Sequence, residues 1–304
     1  MFQSQRTGKS TVTAKLLVAA AASAFAVTSA FAQDGDSRLS TTSGVVILDS
    51  GNTGGALTFT GTVHIRVPVI YVNSSSESAV VGSGNGIIET PTLNVVGGTR
   101  FNGSACCTGA VVDAPGPMLD PYGSTVVAAA SSMPALAKVT LNGGRHTINP
   151  GNYAGGLFIK GGAAVTFSPG VYEMGADFSL TSGSVVGEGV TIVMRAGRFI
   201  MGGNSTKSLS APEEGMYAGI VIAQPASNTS VMSITGGTEM SLAGAIWAPG
   251  ANVSVTGNSS VETTGPAIGD SLVCKTLSVN GSGVVKLGRP TDHVVPPQIN
   301  GLFD

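Results

Sequence analysis

Charge is scarce in this chain. Only 11% of its 304 residues are Asp, Glu, Lys or Arg, and the cations form no cluster. Phosphate backbones are held by clustered Lys and Arg, so the composition argues against a nucleic-acid partner. Aromatic residues are equally thin, at 5% with a single tryptophan. A narrow interior filled by small aliphatic side chains is the expectation. Beyond residue 32 there is no long helical periodicity and no second apolar stretch of membrane-spanning length. The 44 glycines follow no Gly-x-y period, which excludes collagen. Hydrophobic content is nonetheless 42%, too high for a disordered chain. A β-rich fold with many tight turns remains.

The first 32 residues read as a secretory signal peptide. Arg6, Lys9 and Lys15 precede an Ala-rich apolar stretch from Leu16 to Thr28. Ala30-Phe31-Ala32 is a small-x-small site, placing cleavage between Ala32 and Gln33. Removing three cations leaves twelve against seventeen carboxylates, a mature net charge of −5. The expected location is outside the cytoplasm: periplasm, cell surface or extracellular, with no transmembrane segment in the mature chain.

Three cysteines, Cys106, Cys107 and Cys274, would meet oxidising conditions there. A disulfide from Cys106 or Cys107 to Cys274 would staple distant parts of the chain. A vicinal Cys106–Cys107 bond is strained. His64, His146 and His293 show no metal-ligand spacing relative to the cysteines, so no metal site is expected.

Short apolar runs closed by Gly, Asn, Ser or Pro recur along the chain. Ile148-Asn149-Pro150-Gly151-Asn152-Tyr153 returns nineteen residues later as Phe167-Ser168-Pro169-Gly170-Val171-Tyr172. Ala164-Val165-Thr166 is answered by Ser184-Val185-Val186. A period near twenty residues with several short strands per period predicts a right-handed parallel β-helix, a single-stranded solenoid. The chain then divides into a signal peptide (1–32), N-terminal coils (33–105), a Pro/Gly-rich insertion loop (106–137), a main β-helix (138–288) and a tail (289–304). Within the loop, Val126 to Ala130 suits a short helix.

Several segments carry a family resemblance. They include Asn149-Pro150-Gly151-Asn152-Tyr153, Gly187-Glu188-Gly189-Val190-Thr191-Ile192-Val193, Tyr217-Ala218-Gly219-Ile220-Val221-Ile222 and Gly244-Ala245-Ile246-Trp247-Ala248-Pro249. Together these resemble the C-terminal β-helix region of TadG-like proteins of Flp (tight-adherence) pilus assembly, across roughly residues 70–287. Ala154 stands where many relatives carry cysteine. The resemblance implies an exported structural or adhesive protein whose partners are pilus or cell-envelope proteins, or surface polysaccharide.

Parallel β-helices also host polysaccharide lyases and hydrolases, which need carboxylates converging on one face. Lys160, Asp177 and Arg198 are the weak surface-site candidates, since a coil of about twenty residues would put them on neighbouring coils. Glu173, Glu188 and Arg195 lie near them in sequence. A solvated charged rim explains them more simply. No catalytic residue, cofactor site or metal site is expected, and the chain reads as non-enzymatic. The alternative is a carbohydrate- or ice-binding adhesin. An ice binder should repeat Thr-x-Thr at the coil period, and Thr58-x-Thr60-x-Thr62 occurs once.

Overall fold

Strands form wherever a bulky apolar residue alternates with a small one between glycine-bearing turns. Leu57–Gly61 shows the rule: Leu57 and Phe59 are buried, Thr60 is exposed, and Gly61 turns the chain at φ 103°. The computed structural model describes residues 44–123, 132–203, 206–237, 239–258, 260–263 and 271–286. The signal peptide, the Val126–Ala130 segment and the tail 289–304 lie outside these.

The described residues are all-β, with no helix. Every strand pairing is parallel, and the strands stack in three ladders, so the architecture is solenoid-like. The first ladder starts with Val139–Asn142 and climbs through Leu157–Lys160, Phe178–Leu180, Phe199–Met201 and Met232–Ile234. The second starts with Arg145–Ile148, the third with Gly151–Tyr153. The long strands Ala245–Gly257 and Ser271–Gly281 each bend once and serve both the first and the third ladder.

The stack does not follow chain order. Val284–Lys286, the last described strand, pairs with His64–Arg66 near the beginning. Likewise Leu277 to Gly281 pairs with Leu57–Gly61, and Ser271 to Cys274 with Gly44–Ile47. The N-terminal coils therefore sit on the C-terminal end of the main stack. Between the two far ends the described chain comprises 114–123 and 132–138. An open strand edge on 271–286 needs a partner, and 44–66 supplies it.

The segment between the ends is shorter than the 106–137 loop read from the sequence. Cys106–Cys107 pairs with Ile87 and Ile88, and Ala110–Asp113 pairs with Thr92–Val95. Gly109 hides this continuation, because it has no side chain and lies against the Thr90 carbonyl. From Ala114 the chain folds back over the third ladder. The Tyr71 hydroxyl donates to the Gly116 carbonyl at 3.1 Å. Asn73 donates to the Met118 carbonyl at 2.8 Å and accepts from its N–H at 2.7 Å. The Trp247 indole N–H donates to Asp120 at 2.9 Å.

Inward residues form columns that each rung covers for the next. Leu157, Phe178, Phe199, Met232, Val253, Leu277, Leu57 and Val80 make one such column, all nearly or fully buried. Each contributes about 1.5–3 kcal/mol of transfer free energy where fully buried. The interior is wider than low aromatic content suggests. Phe178 and Phe199 stack at 5.1 Å, and Phe167 meets Tyr172 edge-on at 4.8 Å. The few aromatics are concentrated inside.

Lys207 occupies an inward column between Val185 and Met240 and is fully buried. Its ammonium donates to the carbonyls of Gly202 and Gly203 at 3.3 and 3.2 Å. Desolvation pushes its pKa from 10.5 down to about 8. Alternation within Thr206–Ser210 places it inside, a position the sequence reading did not notice.

Two outcomes follow. At Gly61 an added Cβ would collide with the Gly281 carbonyl oxygen, and the φ of 103° is unsuited to L side chains. Gly61→Ala should lose about 1–3 kcal/mol in urea unfolding. For Lys207, the folded chain binds fewer protons than the unfolded one between about 8 and 10.5. Stability should therefore rise with pH across that window. Unfolding midpoints of K207M should lack this rise.

Candidate binding face

Outward residues of the first ladder form two columns beside the buried one. Four consecutive rungs contribute Ser233 and Thr235, Ser254 and Thr256, Ser278 and Asn280, then Thr58 and Thr60. Along the stack the columns repeat at the strand spacing, about 4.8 Å. Across it, residues two apart in a strand lie about 6.6 Å apart. The next rungs extend the surface with Val81 and Ser83 on one side, and Ile200 then Ser179 with Thr181 on the other. Charge appears only beyond these, at Arg100 and Lys160.

Short hydrogen bonds order the side chains. Ser83 donates to Thr60 at 3.1 Å, and Asn280 donates to Ser278 at 2.8 Å. Thr276 donates to Asn252 at 2.9 Å at the edge of the same face. Glycines in the left-handed region close the far column on successive rungs: Gly236, Gly257, Gly281, Gly61 and Gly84. Their stacked backbones keep the corner straight, since an added Cβ on Gly257, Gly281, Gly61 or Gly84 would crowd the carbonyl oxygen of the rung before it.

The other two ladders do not offer such a surface. The second carries charge: the Glu89 carboxylate lies 2.8 Å from His64 Nε2 and pairs with Arg66 at 2.9 Å. The third is covered, with Val46, Val193, Val221, Val273 and Trp247 all buried although they alternate with the inward column.

Of the candidates Lys160, Asp177 and Arg198, the fold brings two together. Arg198 grips Asp177 through its backbone N–H at 2.8 Å and two guanidinium bonds at 3.2 and 2.7 Å. The arginine holds the Asp177 carboxyl below its usual range. Lys160 ends its strand, whereas Asp177 precedes the start of the neighbouring one, so they stand at opposite borders of the ladder. Glu173, nearly buried, accepts from Arg195 at 2.7 Å. Both carboxylates are thus engaged by arginine rather than converging on a shared point. Among the described residues no group of three His, Cys, Asp or Glu is placed to hold a metal.

The cysteines stay apart. All three are free: Cys106 is exposed, Cys107 half-buried and Cys274 wholly buried. Four strand spacings separate the Cys274 rung from the terminal one that carries Cys106 and Cys107. That is about 19 Å, far beyond disulfide reach. The expected staple to Cys274 is therefore not made. Burial drives the Cys274 thiol upward and inert.

Sequence reasoning missed the face because its rungs are not consecutive in the chain. Thr58-x-Thr60 looks solitary along the sequence, and its spatial neighbour is Ser278-x-Asn280. Grouping Ser and Asn with Thr at the coil period would have exposed the pattern up to residue 280.

Thiol titration checks this arrangement. Cys106 should react readily with an aromatic disulfide reagent, Cys107 more slowly, and Cys274 only after denaturation. A native protein with fewer than two reactive thiols would contradict it.

No protein-family model, no curated protein and no solved structure matches this chain.

Proposed function

We propose that this chain is an exported, non-enzymatic adhesive protein, built as a right-handed parallel β-helix, and that the first-ladder face does the attaching. The observation that carries this reading is the double column of small hydroxyl and amide side chains, four rungs long without a charge or an aromatic ring. Such a surface has no group to drive bond cleavage. It offers weak hydrogen-bonding groups at fixed spacing, which gain affinity only when many engage at once. Its natural counterpart is an uncharged, repetitive, hydroxyl-bearing surface, of which an extended neutral polysaccharide is the leading case. The likeness of residues 70–287 to TadG-like proteins supports a place in the cell envelope beside pilus or surface components.

Ice is the second reading, favoured by one feature. Sugar rings are commonly held against aromatic platforms, and the central rungs have none. A flat array of hydroxyl and methyl groups repeating in two directions suits ordered water.

Both readings share an experiment. The purified chain is mixed with insoluble neutral glycans (cellulose, chitin), and separately tested for inhibition of ice recrystallisation. Wild type should act in one assay. Replacing two outward serines of adjacent rungs with charged side chains, S254K with S278E, should weaken that activity at least tenfold, about 1.4 kcal/mol, with an unchanged circular dichroism spectrum. A wild-type chain inactive in both assays defeats the proposal.

A further inference from the structure

Asp120 and Pro121 open a β-turn on the segment that crosses the third ladder. Asp at the first position and Pro at the second are residues such a turn favours. The Gly123 N–H closes it by donating to the Asp120 carbonyl oxygen at 3.0 Å. The Asp120 side chain is fixed as well. Its Oδ1 accepts from the Tyr122 N–H at 2.9 Å, and its Oδ2 accepts from the Trp247 indole N–H at 2.9 Å. Tyr122 and Trp247 are both buried. No ion pair among the described residues includes Asp120.

No other aspartate in the sequence precedes a proline, and an Asp–Pro bond has a chemistry of its own. The carboxyl of an aspartate can reach its own main-chain carbonyl carbon by closing a small ring. Before most residues the leaving group is a secondary amide nitrogen of low basicity. Before proline it is a tertiary amide nitrogen, which takes a proton more readily. In a flexible chain the carboxyl samples several rotamers, and the attack is rare. Here the bond from Tyr122 turns Oδ1 along the Asp120–Pro121 peptide, and the bond from Trp247 holds the second oxygen. The Gly123 N–H stands at the carbonyl oxygen, where negative charge gathers during attack.

We propose that Asp120–Pro121 is a self-cleavage site, with the Asp120 carboxyl as nucleophile. In its acid form the carboxyl attacks the Asp120 carbonyl carbon. A C–O bond forms, and the C–N bond to Pro121 breaks. The carboxyl proton ends on the Pro121 nitrogen, which becomes a free secondary amine. Asp120 is left as a cyclic anhydride, and water opens it to two carboxyl groups. The sum is hydrolysis of one peptide bond by one water. At neutral pH an ionised carboxylate has no proton to give, so the bond stands until the surroundings turn acidic.

Cleavage does not release either piece. Gly44–Ile47, Leu57–Gly61 and His64–Arg66 on one side of the break stay paired with residues 271–274, 277–281 and Val284–Lys286 on the other. The product is a two-chain stack held by strand pairing and packing. None of this depends on what the first-ladder face binds.

The full chain is incubated at about pH 4, within the ordinary carboxylic acid range, and followed on denaturing gels with mass spectrometry. Two fragments should grow, one ending at Asp120 and the other beginning at Pro121, at a rate independent of chain concentration. At about pH 7 the two should run together on size exclusion. D120N lacks the acid and should not cleave. D120E closes a larger ring and should cleave about tenfold more slowly. Chain unfolded in urea at the same pH keeps the Asp–Pro bond but loses the turn, and should also be about tenfold slower. W247F keeps a ring and removes the donor to Oδ2. Its folded rate should fall about threefold, and its rate in urea should match wild type. A chain that stays intact at acid pH overturns the proposal. So does folded cleavage no faster than cleavage in urea, which is the ordinary acid lability of any Asp–Pro bond.

Discussion

Each rung of this molecule carries a debt that only the next rung settles. Its strands present unpaired N–H and C=O groups along one edge, and its inward residues present an uncovered apolar surface. Parallel stacking satisfies both at once. Phe178 needs Phe199 above it and Leu157 below; the backbone of the same strand needs the same neighbours. Hydrogen bonding and burial are therefore one requirement, and the remaining features are consequences of meeting it at every junction of the stack.

The uncharged face is one consequence. Alternation fixes which residues point outward, and stacking fixes their spacing. A straight corner is also needed, or the columns would wander. The stacked glycines provide it, because each passes so close to its neighbour that a side chain would force the rungs apart. Charge stays off the central rungs of this face, standing on its strands at Arg100 and Lys160, while the second ladder carries the His64–Arg66–Glu89 group. The polar face is thus set by geometry as much as by composition.

Local features of the fold were legible in the sequence. The twenty-residue period, the Pro-Gly corners of Asn149 to Gly151 and Ser168 to Gly170, and the strand runs all depend on nearby residues. What escaped depends on partners far along the chain. No local signal says that Leu57–Gly61 pairs with residues 277–281 rather than with a strand next to it in sequence. The staple to Cys274 follows from cysteine count and an oxidising compartment alone, neither of which says how many rungs separate Cys274 from Cys106 and Cys107. Cys106–Cys107 was read as loop because two residues are too few to show alternation, and only pairing with Ile87 and Ile88 defines it as a strand. Lys207 was overlooked for the opposite reason: its inward phase is visible, but a lysine is not looked for inside. Of the rim candidates, Asp177 and Arg198 meet across neighbouring coils, while Lys160 stands at the opposite border of the ladder.

The junction between chain ends gives the face a particular vulnerability. Ser278 with Asn280 and Thr58 with Thr60 are adjacent rungs, yet the rungs are held together by strand pairing and packing and not by a short connection. Opening that junction would cut the rung of Thr58 and Thr60 away from the other three. Any ligand that spans these two rungs binds only the closed arrangement, so its binding free energy adds to the stability of the junction. Recognition and folding are coupled there through contact alone, with no moving part. Residues 114–123 cross the third ladder and are tied there to Tyr71, Asn73 and Trp247. Those ties join the N-terminal coils to the main stack a second time, across the third ladder.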